Sequence, residues 1–161
     1  MDIPIIKKIS YFRIIPQLLL IAILTFLFEF FGLAPDLFMA LVYSYIILIL
    51  YRYLIRYTLT IEHVKGIHRM KKGQFEKAIK NFSKSYEFFD RHRNLDKWRS
   101  ILFLSPGEYG YREMSLANIA FSYSQLDNVD KAREYYQSCL KDYPHNGLAI
   151  SAINIMNSAG K

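Results

Sequence analysis

Glu113–Pro144 reads EMSLANIAFSYSQLDNVDKAREYYQSCLKDYP, and its two apolar stripes decide the fold. Leu116, Ile119, Ala120 and Tyr123 recur at three- and four-residue steps, so they share one face of a helix. Leu126-Asp127-Asn128 makes a turn, and a second stripe follows at Val129, Ala132, Tyr136, Cys139 and Leu140. Tyr143-Pro144 ends it, because proline lacks the N–H of the helical ladder and its ring clashes one turn back. Small Ala120 and Ala132 let two antiparallel helices approach, while the larger neighbours fill the space between them.

A weaker copy lies upstream. Gly66 and Ala78 have the separation of Ala120 and Ala132, Phe82 takes the place of Tyr136, and Gly73-Gln74-Phe75 supplies the turn. Glu62 and Lys65 stand where large apolar residues are expected, and no proline closes this copy.

The pattern resembles the tetratricopeptide repeat. Leu116-x2-Ile119-Ala120-x2-Tyr123, Ala132-x3-Tyr136 and Pro144 match that family's W-x2-L-G-x2-Y, A-x3-F and P. The two copies are displaced by 54 positions, Ala78 to Ala132, against a family period of about 34, so an insert is expected near 93–112. The resemblance implies protein or peptide binding in a concave groove lined by the first helix of each pair. By matching places, that groove comprises Thr60, His63, Ile67, Met70, Met114, Ala117, Phe121 and Gln125. His63 and Ile67 replace the Lys and Asn with which some members clamp a terminal carboxylate, so that clamp is not expected. The groove is apolar enough for a hydrophobic helix or strand. Two and a half repeats make a short stack, leaving a partner, self-association or the membrane to supply further burial.

Working outward, the insert offers Asn94 as a cap for a short helix with Leu95, Trp98, Ile101 and Leu102 on one face, before Ser105-Pro106-Gly107 breaks it. The plainer expectation is an extra helix packed on the repeats, with Trp98 in the core. The other reading is a membrane-surface segment using Arg91, Arg93, Lys97, Arg99 and Trp98. After Pro144, Leu148, Ile150, Ala152, Ile153 and Met156 form a capping helix over about 147–157.

Towards the N-terminus the chemistry changes. The chain is 161 residues long and 52% hydrophobic, and most of that excess precedes Tyr57. Ile14–Phe31 is interrupted only by Pro16, Gln17, Thr25 and Glu29, and Leu37–Ile55 only by Ser44 and Arg52. A helix needs about 20 largely apolar residues to cross about 30 Å of hydrocarbon. Both segments are therefore expected to span a membrane, as a hairpin turning at Gly32-Leu33-Ala34-Pro35-Asp36. The first is too long, and ends in residues too large, for a cleaved signal peptide. Lys7, Lys8 and Arg13 precede the first span, and Arg52, Arg56, Lys65, Arg69, Lys71 and Lys72 follow the second, while the turn carries no basic residue. The positive-inside rule then puts both termini in the cytoplasm of a bacterial-type cytoplasmic membrane, with Tyr51, Tyr53 and Tyr57 as an aromatic belt. Glu29 is a candidate intramembrane polar contact, although its place near the helix end lets it reach water. With no strong breaker between Leu37 and Lys72 except Gly66, the second span is expected to run into the first repeat helix as one rod.

The sequence thus predicts an all-α protein: an anchor over 1–57, then a domain over 58–161 with repeats near 59–92 and 113–146. The net charge of +7 is explained by membrane topology and by helix faces where acids alternate with bases, so nucleic acid is not an expected partner. His63 and His68 are five apart and face different ways, His92 and His145 are isolated, and Cys139 takes a packing place. No catalytic, cofactor or metal site is expected. The function read from these features is a membrane-tethered interaction module, a scaffold or adaptor whose partners are a protein or peptide and membrane lipid. The alternative is an accessory subunit of a transporter or channel, bound through its spans.

Overall fold

A computed structural model describes residues 14–104 and 107–159, and all of its regular structure is helical. Lys7, Lys8, Arg13, Ser105 and Pro106, used above for topology and for the insert's break, lie outside the described residues. Helices α1 (Ile15–Phe30) and α2 (Leu37–Thr58) form an antiparallel pair. Gly32 turns the chain at φ +61°, and the Asp36 carboxylate then caps α2 by accepting from the Met39 N–H at 2.8 Å. The seam of the pair is made of small residues. Ala40 and Ser44 are fully buried, Thr25 and Leu48 nearly so, and Thr25 and Ser44 share a hydroxyl hydrogen bond of 3.2 Å. The larger side chains, Phe26, Phe30, Ile49 and Leu50 among them, point outward.

Among the described residues one helix, α2 with 22 residues, is long and apolar enough to cross a membrane. The sequence reading expected two. With 16 residues α1 rises about 24 Å at 1.5 Å per residue, short of the full hydrocarbon thickness.

The single rod expected from Leu37 to Lys72 is also corrected. Helix α3 (Ile61–Lys71) is separated from α2 by Leu59 and Thr60. The reason is local competition for carbonyls. The Thr60 N–H reaches back to Ile55 O, while the Thr58 and Thr60 hydroxyls donate to Leu54 O and Arg56 O.

Helix α4 (Phe75–Arg91) pairs with α3, and α7 (Tyr111–Ser124) pairs with α8 (Val129–Asp142). Helix α7 also packs along α4, and α9 (Gly147–Ala159) closes the stack against α8. One core joins Met70, Ala78, Phe82 and Ile119; the other joins Leu116, Ala117, Ala120, Ala132, Tyr136, Cys139 and Ala149. Of the residues expected to pack the repeats, Gly66, Ala78, Phe82, Leu116, Ile119, Ala120, Ala132 and Tyr136 are buried, Tyr123 is half-buried and Pro144 is exposed. A Cβ on Gly66 would stand 2.7 Å from the Phe82 ring, so this place needs glycine for space. Glu62 and Lys65 are charged because α3 opens the stack and no earlier helix pair covers them. They form a 3.1 Å ion pair, and Glu62 accepts from the Asn81 amide.

The insert departs from its expected form. It makes two short pieces, α5 (Arg93–Lys97) and α6 (Arg99–Leu102), broken at Trp98. The first begins a residue before Asn94, with His92 rather than Asn94 at the cap. Phe103 and Leu104 carry its buried apolar contacts, whereas Trp98 is 53% exposed rather than in the core.

Candidate functional site

The expected groove is the face shared by α3 and α7. Thr60, His63, Met70 and Ala117 are buried; Ile67, Met114, Phe121 and Gln125 remain partly open. The structure thus corrects half of the expected lining. Met70 sits in the core with Ala78, Phe82 and Ile119, and Ala117 lies against the α8 side of the stack. The cause for His63 is the insert. It brings Tyr111 onto α3, where that ring meets His63 at 5.2 Å, while Phe82 meets the imidazole from the other side at 5.4 Å. Phe89 stacks on Tyr111 at 4.6 Å, and Phe103 closes the cluster. Nothing in helical periodicity indicates that Tyr111, 48 positions away, covers the first turn of α3.

His63 is therefore an interior residue. Its Nδ1 lies 3.4 Å from both the Ser85 and Ser115 hydroxyls, and Ser115 donates to Ser85 at 3.1 Å. Burial pulls the imidazole from its usual 6.5 down to about 4, so it is neutral at physiological pH. A serine beside a histidine has the chemistry of a nucleophile and base, but here both serines are buried. The cluster packs three helices together.

Three further polar centres escaped the sequence reading. Asp96, buried in α5, accepts from the Tyr111 and Arg112 N–H groups at 2.7 and 3.1 Å, so the insert caps α7. Gly110 allows this, because a Cβ there would stand 2.7 Å from the carboxylate. Arg99, also buried, donates to Asp96 O and Glu108 O and holds the loop. Arg112 then bridges helices: its guanidinium lies 2.8 Å from Asp90 of α4 and 3.2 Å from Asp142 of α8, and donates to the Tyr143 hydroxyl at 3.0 Å. Glu113, its pKa raised by burial, accepts from the Asn146 amide, whose side-chain oxygen caps α9 by accepting from the Ala149 N–H. A capping carboxylate distant in sequence leaves no local signature. Its only hint was an acid in a short apolar segment.

Cys139 is fully buried, and burial pushes its thiol up to about 12, so it is not poised for nucleophilic chemistry. Among the described residues no three His, Cys, Asp or Glu side chains gather to hold a metal. Glu29 is exposed in the last turn of α1. Of the expected lining, Ile67, Met114, Phe121 and Gln125 remain partly open on the α3–α7 face.

No curated protein and no solved structure matches the chain. The family model of the tetratricopeptide repeat does match, over residues 115–146, which is the α7–α8 pair and its closing turn, and this supports the tetratricopeptide-repeat superfamily for the chain.

Proposed function

We propose that this protein is a membrane-tethered interaction module, with α1 and α2 as the anchor and the helical stack as a cytoplasmic adaptor for a protein or peptide. The observation that carries the proposal is the joining of two parts in one chain. A pair matching the tetratricopeptide repeat, typically a non-catalytic protein-binding unit, follows a 22-residue apolar helix with exposed large side chains. Arg56 in the last turn of α2 favours the cytoplasmic side for that end. In this reading α1 crosses with α2, its shortness met by local thinning of the bilayer and by flanking residues. The docking surface consists of Ile67, Met114, Phe121 and Gln125. Met70 and His63 are structural and do not serve as binding determinants.

Purification of the full chain in mild detergent, followed by identification of bound proteins, tests this. The expected result is a partner that is lost on Met114→Glu with Gln125→Ala, with an unchanged melting curve, and kept when α1 and α2 are exchanged for an unrelated hairpin. A partner kept by the groove variant and lost with the exchange overturns the groove and supports the accessory-subunit reading. Extraction of the chain by carbonate, or a reporter after Lys161 active only outside the cell, overturns the anchor.

A further inference from the structure

The insert is tied to the two apolar helices at a defined height. The Tyr51 hydroxyl donates to Leu102 O at 2.6 Å, and the Gln17 amide donates to Leu104 O at 2.9 Å. Gln17 lies in the first turn of α1 and Tyr51 near the far end of α2, so both bonds fall at one end of the pair. Measured from the Asp36 cap, Tyr51 is about 22 Å along α2 at 1.5 Å per residue, and a hydrocarbon layer of about 30 Å starting there reaches Arg56. The α6 end of the insert is therefore held about 8 Å inside the boundary marked by Arg56. At that height Trp98, Ile101 and Leu102 are 53%, 48% and 37% exposed, an apolar surface that water would leave uncovered. Lys97 beside them is exposed as well. An amphipathic segment with Trp and Leu on one side and cations on the other rests at a depth of about 5–10 Å, in the headgroup and acyl boundary.

We propose that this segment is a lipid-facing foot: Trp98, Ile101 and Leu102 enter the interface of the bilayer that α2 crosses, and Lys97 meets its anionic headgroups. The inference rests on the transmembrane reading of α2. Because Asp96 in the same segment caps α7, a seated foot fixes the tilt of the repeat stack on the membrane, turning the open α3–α7 face to a constant direction.

Trp98 is the only tryptophan of the chain, so its fluorescence reports this segment alone. The full chain is reconstituted in vesicles of phosphatidylcholine and phosphatidylglycerol, with bromine placed either high or deep on the acyl chains. The expected result is a blue-shifted emission that high-bromine lipid quenches strongly, deep-bromine lipid quenches weakly and aqueous iodide barely affects. Ile101→Asp with Leu102→Asp, at exposed places, should abolish most of the lipid quenching without shifting the melting curve. A carbonate-resistant chain whose Trp98 is quenched by iodide and not by lipid overturns the foot while leaving the anchor intact. A Trp98 shielded from both quenchers overturns it in favour of a protein on this face. Loss of the chain from the vesicles in carbonate overturns the anchor, and the foot with it.

Discussion

The helix pair α1–α2 and the stack α3–α9 are built inside out with respect to each other. In the first, Ala40, Ser44 and Thr25 form the buried seam and Phe26, Phe30 and Leu50 face outward. In the second, Phe82, Phe89, Met70 and Tyr136 are buried to within 2%, and most charged residues face outward, with Asp96, Arg99 and Glu113 as buried exceptions. Packing through small residues, with close backbones and hydroxyl pairs, is the arrangement favoured where the surroundings are as apolar as the side chains. Burial of large rings is the arrangement favoured in water, where about 25 cal/mol is gained per Å² of apolar surface removed. The contrast teaches that the two regions bury opposite kinds of side chain, and it is the physical basis for the proposal that α2 spans a membrane.

The contrast is open to direct attack. The largest effect is expected for Phe82→Ala, which removes a fully buried ring and should cost about 3–5 kcal/mol in urea unfolding of the stack. Leu50→Ala, at a place 62% exposed, should change stability in detergent by less than about 0.5 kcal/mol. Similar losses at the two sites would erase the distinction. Next comes acidification. His63 falls from 6.5 to about 4 on folding, so the unfolded state binds the extra proton between those values. The stability from neutral His63 is fully present above pH 6.5 and is lost as the pH falls towards about 4, by on the order of 3 kcal/mol. Unfolding curves collected across that window should show the loss in the wild type and not in His63→Phe, if that variant folds. Gly66→Ala should destabilise the first pair by about 1–3 kcal/mol, because the stiff Phe82 ring cannot yield 2.7 Å of contact without moving the core. A neutral result would mean that α3 and α4 slide apart freely. Apart from the near-neutral Leu50→Ala, the smallest effect belongs to the hairpin seam. Ser44→Ala removes the hydroxyl pair with Thr25 and should cost only about 0.6 kcal/mol in micelles.

Much of this was legible from local pattern. The stripes Leu116 to Tyr123 and Val129 to Leu140 located α7 and α8, and the small residues Gly66, Ala78, Ala120 and Ala132 located the close approaches between helices. The α2 boundary was read as Ile55 and extends three residues further, to Thr58. Matching places identify a helix face, but whether that face opens to solvent depends on what folds back over it, and Tyr111 does so at His63. The kink at Leu59–Thr60 was missed because threonine hydroxyls compete for carbonyls without breaking the apolar pattern.

By itself the sequence determined that the chain is helical, which faces of its repeat helices are apolar and where the composition changes, since these depend on residues three and four apart. The tertiary structure alone decided that Asp96 caps a helix fifteen positions later, that Arg112 ties Asp90 to Asp142, and that the carbonyls of Leu102 and Leu104 bind the apolar pair. Those contacts join residues far apart in the chain. They exist only once packing has brought buried polar groups to the partners that their desolvation demands.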